Sequence, residues 1–272
     1  MSIVYLDGEY LPMEEAKVSV NDRGFLFSDG VYEVTPAYRG RFFLMDRHRA
    51  RLQRGLGELR IDADISGLEA MHDELLARNG LEDAPISIVY LQITRGVAPR
   101  THAFPAGPVT PTVYAFAKAY TRPGAERWAQ GFSAVTIPDR RWARVDIKTV
   151  SLLGNVLAQQ AAVDAGVDDV ILVRDGVALE GAHSNLFLVF GDTLVTHPLS
   201  NVVLPGITRS YVLELARELG VTVQERPVQV EELARADEAF FTGTTTEVKP
   251  CCLLYTSPSP RDRTRSRMPS SA

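Results

Sequence analysis

The chain has 272 residues, of which 45% are hydrophobic and 23% are charged, a composition typical of a globular protein with one or two domains. Its formal net charge of −5 supplies no basic surface, which argues against nucleic acid or an anionic membrane as a partner. No apolar run reaches the roughly 20 residues that span a bilayer, and the chain does not start like a signal peptide, so we expect a cytoplasmic protein.

The first half of the chain predicts a small domain of mixed strands and helices. Two strand-like runs flank the Asp7-Gly8 turn and predict a hairpin over 3–11. Apolar spacing and strand-forming residues predict the remaining elements, which are helices at 46–59 and 68–78 and strands at 86–94 and 113–119, with a proline-rich loop at 105–111. We place this domain at 1–120 and a linker at 121–129.

The second half predicts a larger mixed domain at 130–250. Its predicted helices are 155–165 and 208–219, which are followed by Gly166 and Gly220. Its predicted strands are 133–137, 170–173, 186–190, 194–196 and 239–242. Strands and helices do not alternate strictly along the chain, so the fold class is predicted as α+β.

The C-terminal end differs sharply in composition from the rest. The only cysteines, Cys251 and Cys252, are adjacent, a spacing that suits neither a disulfide nor a metal site. From Cys252 the segments 252–262 and 266–272 resemble a translated sequencing adapter. We therefore expect 251–272 to be a non-native tail and the native domain to be truncated near Pro250. The alternative is a natural disordered tail rich in serine, proline and arginine.

Three motifs in the second half carry candidate chemistry. They are DIKTVSLLGN (146–155), LEGAHSN (179–185) and LPGITR (204–209). A lysine, a carboxylate and the start of a helix follow one another in this order. A helix start binds anions through its free N–H groups and its dipole.

The order of these motifs resembles that of fold-type IV enzymes, which use pyridoxal 5′-phosphate (PLP), and within that group the D-amino acid transaminases. The resemblance extends from about Tyr5 to Pro250. It implies a small N-terminal α/β domain and a larger domain with a barrel-like mixed sheet. It also implies that Lys148 is the Schiff-base lysine and moves the substrate proton. Glu180 would pair with the pyridine nitrogen and keep it protonated.

The same resemblance assigns the phosphate of the cofactor to four residues. Ile207 and Thr208 would bind it at the start of a helix, and Thr244 would bind it from a second turn. Arg51 would bind it through its guanidinium, with His48 in support.

The segment TRGVAPRTHAFP (94–105) resembles the carboxylate-binding loop of D-amino acid transaminases. By this resemblance Arg100 and His102, together with Tyr32, hold the substrate carboxylate. The first two would reach into the site of a partner subunit, which implies a homodimer. Tyr90 is a weaker candidate for the substrate pocket. A guanidinium suits this task because its fork matches both carboxylate oxygens.

Two positions depart from the family pattern. Thr149 follows Lys148 where a serine is expected. His183 occupies a position where the family often has serine, and the sequence leaves its role open.

The predicted reaction is transamination between D-amino acids of the D-alanine type and 2-oxo acids such as pyruvate and 2-oxoglutarate. Two alternatives share the scaffold, a branched-chain L-amino acid transaminase and aminodeoxychorismate lyase. The Arg100–His102 pair counts against the first. A truncated, inactive fragment is the non-enzymatic alternative. The sequence does not rank D-alanine, D-glutamate and D-aspartate as donors.

Overall fold

A computed structural model describes residues 2–255, with side chains described as far as Cys252. The helices are α1 (Arg23–Phe27), α2 (Met45–Leu59), α3 (Leu68–Arg78), α4 (Ala125–Gln130), α5 (Leu153–Asp164) and α6 (Ile207–Glu218). The strands are β1 (Ile3–Leu6), β2 (Glu9–Pro12), β3 (Gly30–Tyr38), β4 (Arg41–Phe42), β5 (Ser87–Thr94), β6 (Thr112–Ala119), β7 (Phe132–Pro138), β8 (Asp169–Arg174), β9 (Val177–Ala178), β10 (Asn185–Phe190), β11 (Thr193–Thr196), β12 (Thr222–Glu225), β13 (Val228–Gln229), β14 (Glu238–Gly243) and β15 (Glu247–Tyr255). A short 3-10 helix spans Val230–Arg235.

The N-terminal part forms a six-stranded antiparallel sheet in the order β2-β1-β6-β5-β3-β4. Alternation along β5 turns Val89, Leu91 and Ile93 toward one face, where they form a core with leucines of α2 and α3. Tyr90 and Gln92, between these residues, lie on the other face. The sheet therefore has one face covered by helices and one free to line a site.

The C-terminal part forms a nine-stranded mixed sheet in the order β12-β11-β10-β14-β15-β7-β8-β9-β13. Three of its strand pairs are parallel, namely β11–β12, β15–β7 and β7–β8. Neighbouring residues of β14 face opposite sides: Phe241 is fully buried in one core, and Phe240 stacks on Phe187 in the core beneath α6. The two sheets confirm the α+β class.

Most elements predicted from the sequence are present with small shifts at their ends, and helix α3 matches its predicted bounds. Two nine-residue strands were missed: β15, which follows the Thr244 turn, and β3, which contains Pro36. The two-residue β4 pairs only with Ala37 and Tyr38, so Pro36 lies beyond that ladder, where a missing N–H is tolerated. The predicted linker 121–129 is not a plain loop, because α4 begins within it.

The structure crosses the boundary predicted at Pro250. Strand β15 continues to Tyr255 and pairs with β7, with an irregular register between Cys251 and Leu253. The remainder of the predicted tail, from residue 256 on, lies outside the described residues. Within residues 2–255, no helix is long and apolar enough to cross a membrane, and no cluster of three or more His, Cys, Asp or Glu side chains could hold a metal ion.

Candidate active site

A cavity lies where the two sheets meet and gathers most of the predicted site residues. Its wall includes Tyr32 and Arg51 from the N-terminal part and the following residues from the C-terminal part: Lys148, Glu180, Ile207, Thr208 and Thr244. The motifs that are far apart in sequence are therefore brought together in space.

Lys148 is held by its backbone against strand β3. The Tyr32 N–H donates to the Lys148 carbonyl at 3.0 Å, and Thr149 forms a β-bridge with Val31. The Lys148 Nζ atom lies 4.2 Å from the centre of the Tyr32 ring. Ile147 is buried in the core of the first sheet. These contacts fix the start of the side chain while its amine stays in the cavity.

Asp146 anchors the same segment to α2. Its carboxylate accepts from Arg54 Nη2 at 2.6 Å and from Arg144 Nε at 3.0 Å. Arg54 also donates to the Asp146 carbonyl at 2.9 Å. Two basic side chains hold the pKa of the Asp146 carboxyl below its usual range, against the opposing effect of burial. Asp146, two positions before Lys148, is thus tied to α2, one of the helices that cover the N-terminal sheet.

Glu180 begins a tight turn that ends at Asn185. The Asn185 Nδ2 atom donates to Glu180 Oε2 at 2.8 Å, and the Leu204 N–H donates to the same oxygen at 3.2 Å. Arg141 Nη1 lies 2.5 Å from Glu180 Oε1, and Arg141 is held in turn by Asp139. Burial raises the pKa of the Glu180 carboxyl, and the Arg141 guanidinium opposes that shift.

Arg51 is positioned by a buried carboxylate, Glu33. Its Nε and Nη2 atoms donate to the two Glu33 oxygens at 2.7 and 2.8 Å, and Nη1 donates to the Pro205 carbonyl at 3.0 Å. His48 Nδ1 lies 2.9 Å from Glu33 Oε2. Burial alone would raise the pKa of Glu33, but Arg51 and His48 lower it to about 2. An ionised Glu33 therefore fixes the guanidinium beside α6, with N–H groups left for an anion.

The start of α6 suits a phosphate group. Gly206 is its N-cap, and no side chain caps the helix, so the first N–H groups are free for an anion. A Cβ atom on Gly206 would collide with Asn185 Oδ1, which explains the glycine. Close to the Thr244 turn, three buried hydroxyls lack a partner within the described part of the chain: Ser184, Thr242 and Thr246. Free donors of this kind fit the phosphate of PLP.

The structure adds site residues that the sequence did not single out, among them Glu33, Arg141 and Asn185. Glu33 follows Tyr32 directly, and strand alternation turns it toward α2. Arg141 lies in an irregular segment after β7, where no pattern marked it. For Glu33, the one available signal was an acidic residue within a buried strand, and this signal was missed because β3 itself was missed.

Three predicted substrate residues lie outside the cavity wall of their own chain. Arg100 and His102 are exposed and both pack on Phe27. The Arg100 Cζ atom lies 5.2 Å from the centre of the Phe27 ring, and the centres of the His102 and Phe27 rings are 5.6 Å apart. Tyr90 stacks on Tyr32 at 5.6 Å, one ring further from Lys148.

Comparison with known proteins identifies the family of the chain. A family model described as amino-transferase class IV matches residues 30–254. The D-alanine aminotransferase of Staphylococcus haemolyticus is 40% identical over 253 residues, which cover 92% of this chain and 88% of that protein.

Solved structures show the same fold. A branched-chain amino acid aminotransferase of Escherichia coli superposes with a TM-score of 0.86 at 28% identity, covering 93% of this chain and 86% of that one. A 4-amino-4-deoxychorismate lyase of Pseudomonas aeruginosa superposes with a TM-score of 0.80 at 30% identity, covering 92% and 91%. With the family model covering most of the sequence, the chain belongs to the class IV aminotransferases.

Proposed function

We propose that the protein transfers amino groups between D-amino acids, D-alanine among them, and 2-oxo acids, with PLP as cofactor. The observation that carries this proposal is the meeting of Lys148, Glu180 and the start of α6 in one cavity. The relative in S. haemolyticus, a D-alanine aminotransferase, supports the choice of D-amino acids.

The cavity residues have distinct roles in this proposal. Bound PLP supplies an aldehyde that takes up the amino group and a ring that accepts the electrons left when the substrate Cα–H bond breaks. The phosphate would be held by Arg51, Ile207, Thr208 and Thr244. Glu180 would keep the ring nitrogen protonated. Lys148 would hold the cofactor through its aldehyde and would carry the proton to and from the substrate Cα, since its amine lies in the cavity wall.

The substrate test compares donors under matched conditions. Purified protein with PLP is given D-alanine and 2-oxoglutarate, and pyruvate is measured. Parallel samples contain L-leucine with 2-oxoglutarate, in which 4-methyl-2-oxopentanoate is measured, or aminodeoxychorismate alone, in which pyruvate is measured. Fast turnover of D-alanine alone is the expected result. Preference for L-leucine, or release of pyruvate from aminodeoxychorismate, would favour the activities named for the two structural neighbours.

We further propose a homodimer in which Arg100 and His102 bind the substrate carboxylate in the partner's site, helped by Tyr32. Support comes from their placement: both are exposed on the 96–111 loop and are absent from the wall of their own cavity. We also propose a cytoplasmic location, as expected from the sequence. Fractionation of source cells would test the location.

Mixing two inactive variants tests the shared site. Lys148→Ala and Arg100→Ala homodimers are each expected to be severely impaired. After unfolding and refolding together, mixed dimers regain one complete site, so about one quarter of wild-type activity should return. No recovery, with dimers confirmed by light scattering, would place Arg100 in its own chain's site or outside any site.

Replacing Arg141 with methionine tests whether the Arg141 guanidinium controls the pKa of the Glu180 carboxyl. The substitution removes the charge 2.5 Å from a buried carboxylate, so the pKa of Glu180 should rise further. We expect kcat to fall roughly 10²-fold near neutral pH and to recover partly as the pH rises.

The pH dependence of kcat is the measurement, and Arg174→Met is the matched control. Arg174 contacts Asp139 and the Arg141 carbonyl but not Glu180. Equal losses in both variants, without a change in pH dependence, would argue that Arg141 only supports the fold.

A further inference from the structure

His183 is the ionisable residue of the cavity that the proposed function leaves unused. It lies in the Glu180–Asn185 turn, which is closed by a hydrogen bond from the Gly181 N–H to the Ser184 carbonyl at 2.7 Å. Asn155 Nδ2, from α5, donates to the neighbouring Ala182 carbonyl at 2.6 Å. The backbone carrying the imidazole is therefore fixed from two sides.

The His183 ring faces the same cavity as Lys148 and is solvent-exposed there. It makes no hydrogen bond with any residue from 2 to 252. Three charged groups act on it from three elements, which are Lys148 before α5, Asp169 on β8 and Lys249 on β15. Asp169 is already occupied, since Lys249 Nζ donates to it at 3.0 Å.

The ring is thus available as a base. Although the ring opens onto the cavity, the protein around the cavity desolvates it, and this desolvation lowers the pKa of the His183 imidazole below its usual range. The charges of Lys249 and Lys148 act in the same direction. Asp169 opposes them. A neutral imidazole keeps one nitrogen with a free lone pair at neutral pH.

The other ionisable groups in the described cavity wall are unsuitable as proton acceptors for Lys148. They are Tyr32, Arg51, Arg141 and Glu180. The two arginines are cations. Tyr32 meets the amine with its ring face, and Glu180 is engaged by Arg141, Asn185 and the Leu204 N–H.

We propose that His183 accepts a proton from the Lys148 ammonium and passes it to solvent at the cavity mouth. An N–H bond of Lys148 breaks as one forms at the imidazole, and the electron pair left on Nζ makes the amine nucleophilic. His183 is a positioning and proton-relay residue in this scheme, and it prepares Lys148 for the cofactor. The proposal rests on the proposed function, because it assumes that Lys148 binds PLP.

The test follows the rate at which cofactor-free protein takes up PLP, measured by the change in PLP absorbance after rapid mixing. Rates are compared from about pH 6 to about pH 9 for wild type and His183→Gln. The variant should be about tenfold slower near neutral pH, and the difference should vanish as the pH rises, because hydroxide and solvent then deprotonate Lys148. Added imidazole should restore the rate in His183→Ala.

His197→Gln is the matched control. That ring is half-buried outside the cavity, with Nδ1 2.7 Å from the Pro198 carbonyl, and burial lowers its pKa as well. It should bind PLP at the wild-type rate. Equal rates for wild type and His183→Gln at every pH would overturn the relay, as would a loss that is independent of pH and unaffected by imidazole. Wild-type protein that takes up no PLP would instead count against the proposed function.

Discussion

Replacing Lys148 with alanine is expected to lower transamination by roughly 10⁴-fold or more, because one amine both binds the cofactor and carries the substrate proton. Phosphate binding should persist, since Arg51, Thr208 and Thr244 do not depend on the lysine side chain. The variant should therefore still bind PLP, but without a covalent bond.

Two measurements separate these effects. Initial rates with D-alanine report the loss of activity, and borohydride treatment followed by peptide mass spectrometry reports covalent attachment. Wild type should carry the label on Lys148, and the variant should carry none. Lys118→Ala, at an exposed position on β6, serves as the control and should behave as wild type. A label on another lysine, or substantial activity in the variant, would contradict the assignment.

The sequence predicted the members of this site that belong to local motifs. Lys148, Glu180 and the Ile207–Thr208 pair each lie within a short recognisable segment, and the order of the segments identified the kind of enzyme. The structure places all of them in one cavity. Motif order was sufficient to identify these residues because each is marked by its own short segment, even though long-range contacts help to position Lys148 and Glu180.

Partners that act across the chain were not predictable in this way. Arg141 meets Glu180 only because β7 and β8 pair in parallel, which brings 139–141 beside the end of β9. Glu33 meets Arg51 because β3 lies beneath α2. Contacts of this kind depend on strand order and register, which cannot be read from a single sequence. For Glu33, the strand β3 that carries it had also been missed.

Glu33 is expected to be the most important buried charge for both stability and cofactor binding. It is 2% exposed and accepts from Arg51 and His48. Breaking one partner of such a buried network leaves the other charges without compensation, which costs about 3–5 kcal/mol. Glu33→Gln should therefore destabilise the fold and release Arg51 from its place near α6, so that PLP affinity falls as well.

The pH dependence gives a sharper expectation. Folding lowers the pKa of Glu33 from 4.5 to about 2, so its contribution is fully present above pH 4.5 and is lost as the pH falls toward 2. The shift corresponds to about 3 kcal/mol. The free energy of unfolding in urea should differ by this amount between wild type and Glu33→Gln near neutral pH, and the difference should shrink in acid.

Glu214→Gln distinguishes this buried network from an ordinary surface ion pair. Glu214 also pairs with an arginine of α2, at 2.6 Å from Arg47, but these two side chains are 46% and 34% exposed, respectively. Water screens that pair, so its loss should change the unfolding free energy far less than the loss of Glu33. If the two variants were equally stable at neutral pH, the carboxylate beneath Arg51 would have no special role. If only Glu33→Gln also weakens PLP binding, then the same buried charge that stabilises the small sheet also sets the position of the phosphate arginine.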